Sequence, residues 1–260
     1  MRQSFLWRNR EPSSHVVDRR PMGNGPKYTG FGSLILILLY LLGFGVPNPG
    51  VPNRPAAIPQ AEVQEMDRFA AVILRDTEDV WTDLFRQMGK KYVKPEMVLF
   101  TDSVESGCGR QYSSLGPFYC PRDRRLYIDL QFFREVRDEF GVDGEFARAY
   151  VIAHEVGHHV QNLLGIKDPH GTVRVELQAD FLAGVWAHHA QKRWGFLQKG
   201  DVEESLRLAS SIGDDSLQKK SGGEVRPDLF THGTAEQRVR WFTAGLKSGK
   251  LSDGKISLIK

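Results

Sequence analysis

The sixteen residues from Phe31 to Val46 carry no charge, and their centre reads Leu34-Ile35-Leu36-Ile37-Leu38-Leu39-Tyr40-Leu41-Leu42. This run constrains the chain more than any other feature, because it must either enter a bilayer or be covered by a core. At about 1.5 Å per residue it spans roughly 24 Å, so it reaches across a ~30 Å hydrocarbon layer only with help from Tyr28 to Gly30. Its eight Leu and Ile favour insertion, and neither flank resembles the rest of a core. Residues 1–30 are polar, carry Arg2, Arg8, Arg10, Arg19, Arg20 and Lys27 against Glu11 and Asp18, and show no helical or strand period. They are expected to form a flexible basic tail. After the run, Pro47, Pro49, Pro52, Pro55 and Pro59 mark a stiff, extended linker over residues 47–61.

The excess of positive charge before the run places the tail in the cytoplasm and everything after residue 47 on the far side. The expectation is thus one uncleaved transmembrane helix over residues 31–46, a single pass through the cell membrane, with an extracytoplasmic domain at 62–248 and a tail at 249–260. A cleaved signal peptide ending near Gly43-Phe44-Gly45 is the alternative; the long leader and the nearby Pro47 count against it.

Composition narrows the classes. Lys plus Arg number 35 against 32 Asp plus Glu, too even a balance for a dedicated nucleic-acid binder. Lys90-Lys91 and Lys219-Lys220 read as solvated surface. Two cysteines exclude a zinc ribbon and a disulfide-built miniprotein. Cys108 and Cys120 bound a Gly/Ser-rich loop, and on the oxidising side of a membrane they would close a disulfide.

Beyond the linker, apolar residues at helical spacing predict an amphipathic helix from Gln64 to Phe85. Met97 to Phe100 and Arg125 to Leu130 read as short strands. A helix from Gly144 to Leu164 carries His154-Glu155-Val156-Gly157-His158. Histidines at i and i+4 leave one helical face a turn apart, so both imidazoles can reach one Zn²⁺ at about 2.0–2.1 Å. Glu155 stands beside them, able to take a proton from a bound water without being a ligand. A second helix, from Val173 to Lys192, offers Glu176 as third ligand, which leaves the fourth position to water, as in catalytic zinc sites. Asp180, one turn on, is placed to accept the free N–H of a ligand histidine.

These segments resemble the bacterial neutral zinc metallopeptidase family, a gluzincin-like branch of the zincins. The likeness rests on Ser106-Gly107-Cys108-Gly109, Gly116 to Pro121, Tyr150 to Gly165, Glu176 to Trp186, Ile212-Gly213-Asp214-Asp215, and Phe230-Thr231-His232-Gly233-Thr234 through Arg238, Trp241 and Phe242. It covers nearly all of residues 62–248. Phe181 departs from a cysteine common there in the family, at a position that is no proposed ligand. The resemblance implies an α+β, predominantly helical zincin-like domain with a small sheet and an N-terminal membrane anchor. It further implies Zn²⁺ held by His154, His158 and Glu176, with Glu155 as general base and a peptide or protein as substrate. Two imidazoles and a carboxylate leave a net positive centre that acidifies a water and polarises a carbonyl. The oxyanion then needs a further donor; His232 is the first candidate and Arg238 the second. By analogy with zincins, Phe118, Tyr119 and Tyr127 are expected to flank the substrate.

Two other readings compete. A deformylase-like hydrolase would use Cys108 as third ligand, which requires a reduced thiol. A membrane-tethered module with structural zinc would cut nothing, but it gives Glu155 no task.

Overall fold

The computed structural model describes residues 6–20, 59–166, 172–198, 200–220, 225–227 and 230–259. The apolar run and most of the Pro-rich linker lie outside these residues. No helix among the described residues is long and apolar enough to cross a membrane. The described residues form a predominantly helical α+β arrangement with two small sheets.

Strand β1 (Val16–Asp18) is followed by helix α1 (Gln60–Gln87) and by strands β2 (Glu96–Leu99), β3 (Ser103–Ser106), β4 (Gly109–Tyr112), β5 (Phe118–Cys120) and β6 (Arg125–Ile128). Helices α2 (Gln131–Phe140), α3 (Glu145–Leu164), α4 (Thr172–Trp194), α5 (Asp201–Ser211), α6 (Asp214–Lys220) and α7 (Ala235–Ser248) complete the order. The main sheet runs β1-β2-β6-β5, with β5 as an edge strand antiparallel to β6 and the other pairs parallel. Side chains alternate across it, as strand geometry requires. Met97, Leu99, Leu126 and Ile128 enter the large core shared with the helices, whereas Val98, Tyr127 and Cys120 enter a smaller one with Phe100 and Val104.

Helix α3 ends at Gly165 in the left-handed conformation (φ 69°), the expected stop. Thr234 and Gln237 start α7 with a reciprocal capping box. Helices α4 and α7 cross through two glycines: a Cβ on Gly184 would lie 2.2 Å from the Phe242 carbonyl oxygen, and one on Gly245 would lie 2.0 Å from that of Phe181. Only backbone fits at that crossing.

Three expectations need correction. Residues 6–20 are no flexible tail. They supply β1, bury Trp7 to 2% exposure and bring its indole edge-on to Phe69. The isolated triplet Val16–Asp18 has no readable period, because its partner strand lies far along the chain at Glu96–Leu99. The loop bounded by the cysteines carries β4, a short 3₁₀ turn and β5, with β4 pairing back on β3. Residues 249–259 are no tail either: Ile259 is buried, Gln178 donates to the Gly254 carbonyl at 2.7 Å, and Arg174 donates to that of Ile256. Cys108 and Cys120 form a disulfide.

Candidate metal centre

Helices α3 and α4 pack closely enough to bring three donors together because position 157 has no side chain. A Cβ there would stand 2.9 Å from the carbonyl oxygen of Ala179 on α4. Across this contact, single ligand atoms of His154, His158 and Glu176 all lie within 4.8 Å of one another. Glu176 Oε2 is 3.1 Å from His154 Nε2 and 3.3 Å from His158 Nε2.

The other edge of each ring is held by the protein. His154 Nδ1 donates to Asp180 Oδ1 at 2.7 Å, and an ionised carboxylate only accepts, so the Nε2 lone pair is turned toward Glu176. His158 Nδ1 meets Gln161 Oε1 at 2.9 Å. The Gln161 amide nitrogen donates to the Val175 carbonyl and to Gln178, at 2.7 and 3.0 Å, which fixes its orientation. Asp180 also accepts from the Tyr150 hydroxyl at 2.5 Å and from Arg238, Nε to Oδ2 at 2.9 Å and Nη2 to Oδ1 at 3.1 Å. His154, Tyr150, Gln161, Gln178, Asp180 and Arg238 are buried, and His158 is partly buried. Arg238 is therefore committed behind His154 and is not free to serve as an oxyanion donor.

Electrostatics favour a cation among the three donors. Burial raises Glu176, but His158 and His154 outweigh it and hold the carboxylate well below its usual range. Burial lowers His154, yet the charge and hydrogen bond of Asp180, with Glu176, raise it to about 10. Such a pocket, with its carboxylate kept charged and its imidazole nitrogens drawn toward positive charge, suits Zn²⁺, for which two imidazoles and one carboxylate are an ordinary donor set.

The centre opens into a cleft of about 490 Å³ bounded by Pro117, Phe118 and Tyr119 on one side and by His154, Glu155 and His158 on the other. Glu155 lines it, and burial pushes its carboxyl upward. Among the described residues none donates a hydrogen bond to that carboxylate. His232 also lines the cleft, its Nε2 being 4.0 Å from Glu176 Oε2. Its loop is pinned by Asp214, whose Oδ2 accepts the backbone N–H groups of Thr231, His232 and Gly233 at 2.8, 2.7 and 2.9 Å. A second cavity, about 140 Å³, adjoins Glu155 and is walled by Leu115, Pro117, Phe132, Val136, Val151 and Leu217.

Residues 5–255 match the family described as "Putative neutral zinc metallopeptidase". The chain belongs to that family. As a member of this zinc metallopeptidase family, its metal is Zn²⁺. It is 43% identical to the Escherichia coli K12 protein YpfJ, over 94% of this chain and 95% of YpfJ. It is 44% identical to the Mycobacterium tuberculosis H37Rv protein Rv2575, over 61% of this chain and 60% of Rv2575. Both relatives bear the description uncharacterized. No solved structure matches the chain.

Other expected residues fall elsewhere in this family member. Cys108 is bonded to Cys120, which removes the deformylase-like ligand set. Tyr127 is fully buried and stacks on Phe118 at 4.7 Å, so it faces the small core and not the cleft. His159 is not part of the cluster; its ring lies between the Tyr119 hydroxyl and the Val93 carbonyl at 3.0 and 2.6 Å, and burial lowers it to about 4. Sequence reasoning gave no role to Gln161 or Asp214. Gln161 was findable as the residue three positions after His158, on the same helical face. Asp214 was not, because it grips a loop that begins seventeen residues later.

Proposed function

We propose that this protein hydrolyses peptide bonds, with Glu155 as the general base. The observation that carries this reading is the placement of Glu155: a buried carboxylate with no donor from the described residues, beside the His154, His158 and Glu176 cluster and lining the same cleft. A structural zinc site needs no such group.

Zn²⁺ held by His154, His158 and Glu176 would supply Lewis acidity, polarising a scissile carbonyl and acidifying a water. Glu155 takes the proton of the attacking water and returns it to the leaving amine; its upward shift brings it nearer the working pH of a general base. Asp180 holds the His154 ring with its Nδ1 proton directed away from the cleft. His232 is the proposed oxyanion donor. Its Nδ1 meets the Thr231 hydroxyl at 2.8 Å, and in the proposed role Nε2 carries the proton that is directed to the oxyanion. Strand β5 is an edge of the described sheet and its Phe118 and Tyr119 line the cleft, a position that suits an extended peptide adding itself to the sheet. The apolar cavity next to Glu155 fits one aliphatic or aromatic substrate side chain.

Zinc titration of the metal-free protein against a mixed peptide library tests the proposal. Cleavage that rises with zinc occupancy and favours a large apolar residue next to the scissile bond is expected. Stoichiometric zinc binding with no cleavage would overturn it in favour of a tethered, non-catalytic module.

A further inference from the structure

Three of the six basic residues that assign the amino terminus to the cytoplasm, Arg8, Arg10 and Arg20, are paired with carboxylates of the zinc domain. Arg8 pairs with Glu65 and Glu145 at 2.5 and 3.0 Å, Arg10 with Asp76 at 2.8 Å, and Arg20 with Asp67 at 2.7 Å. Arg10 also lies over the rings of Trp194 and Phe196, at 5.3 and 5.2 Å. The pairing is more than a surface match, because α1 buries carboxylates whose partners come from this segment. Asp76 is 2% exposed and Glu78 is 0%. Ser13 donates to Glu78 Oε1 at 2.6 Å and His15 Nδ1 lies 3.0 Å from the same oxygen, while Lys94 approaches Oε2 at 3.0 Å. Without residues 6–20, Asp76 would lose the Arg10 charge and Glu78 would keep only Lys94.

The backbone is engaged as well. Ser13 N–H donates to the Ala71 carbonyl at 2.9 Å, and β1 pairs in parallel with β2 from Val16 opposite Met97 to Asp18 opposite Leu99. The Trp7 indole N–H donates to Glu145 at 2.9 Å, at the start of the metal helix α3. Arg20, the last residue described before the apolar run, is held to Asp67 in the second turn of α1, and α1 begins at Gln60. At about 1.5 Å per helical residue, the chain thus departs and returns within roughly 10–15 Å on one side of the domain. The family match begins at residue 5 and so includes the clasping segment.

A chain that crosses a bilayer once leaves its two parts on opposite sides. From the clasp we infer that residues 6–20 occupy the same compartment as the zinc domain, so that residues 31–46 do not serve as a single-pass span. The positive-inside bias counts basic residues as free charges near a membrane end; Arg8, Arg10 and Arg20 are paired with carboxylates and no longer count in that way. The disulfide between Cys108 and Cys120 makes the shared compartment an oxidising one.

The test uses the full chain in membranes of expressing bacteria, as right-side-out and inside-out vesicles treated with a membrane-impermeant maleimide. Glu11→Cys reports on the clasp and Lys90→Cys on the domain, both at exposed positions, with Asn9→Cys as a second clasp position should the first disturb folding. Equal labelling of the clasp and domain cysteines in the same vesicle orientation is expected, together with an intact mass that retains residues 6–20. Recovery of the intact chain from the soluble fraction would equally place both parts in one compartment. Labelling in opposite orientations, or a mature chain starting near residue 46, would overturn the inference.

Discussion

The metal centre and the amino-terminal clasp are made of the same material, buried carboxylates answered by opposite charge, but they differ in where the answer comes from. In the centre the partners sit on two neighbouring helices at helical spacings: His154 and His158 on α3, Glu176 and Asp180 on α4. In the clasp, Asp76 and Glu78 of α1 are answered by Arg10, Ser13 and His15, some sixty residues earlier and across the apolar run. A period of 3.6 residues exposes the first arrangement to anyone reading the chain. Nothing local names the partners of the second.

The comparison can be broken at its strongest point first. Glu176→Ala removes one of three converging donors, and zinc content is expected to fall from stoichiometric to negligible on metal analysis; unchanged zinc would take Glu176 out of the ligand set. Asp180→Ala probes the support beneath the donors. It strands Arg238, 3% exposed, and losing one partner of a buried pair costs about 3–5 kcal/mol. Zinc affinity should also drop about 10–100-fold through the freed His154 ring, a fall that chelator competition would measure. A variant that melts like the wild type would show that the Asp180–Arg238 pair carries no such load.

The clasp gives a pH-dependent counterpart. Burial raises Asp76 to about 7 against the pull of Arg10. A carboxyl raised in the folded state contributes stability that is present below its unfolded value and lost as pH rises through about 7. Removing the guanidinium raises this carboxyl further, so the penalty of Arg10→Ala should be small near pH 5 and approach about 3–5 kcal/mol above pH 8. Denaturant melts at the two pH values check this, and a penalty that shrinks as pH rises would refute the role of the pair. The smallest effect belongs to Gly157→Ala, where a methyl against Ala179 should cost about 1–3 kcal/mol. By parting α3 from α4 it should weaken zinc binding as well, whereas an unchanged melting temperature would mean that the helices have room to spare.

What was legible in the chain follows the same division. Helices α1, α3 and α4 could be read because each repeats an apolar stripe over several turns, and the clustering of His154, His158 and Glu176 because HExxH and the downstream Glu and Asp sit within such stripes. The polar run Asp76-Thr77-Glu78 inside the otherwise apolar face of α1 was a signal left unread: all three are buried, and buried carboxylates in a helix require partners. Strand β1 and the short strands β3, β4 and β5 have three or four residues each, too few for alternation to show. They are fixed by pairing and by the disulfide rather than by their own pattern. His232 was named from the chain, and its position in the cleft depends on Asp214, a contact between distant loops that spacing does not reveal.

Side-by-side zinc analysis and peptide turnover of the wild type and Glu155→Gln test the central claim most directly. The amide keeps the shape of Glu155 and leaves His154, His158 and Glu176 in place, so zinc should remain stoichiometric while turnover falls by about 10²–10⁴-fold, the usual worth of a positioned general base. Turnover retained at full zinc occupancy would contradict the account.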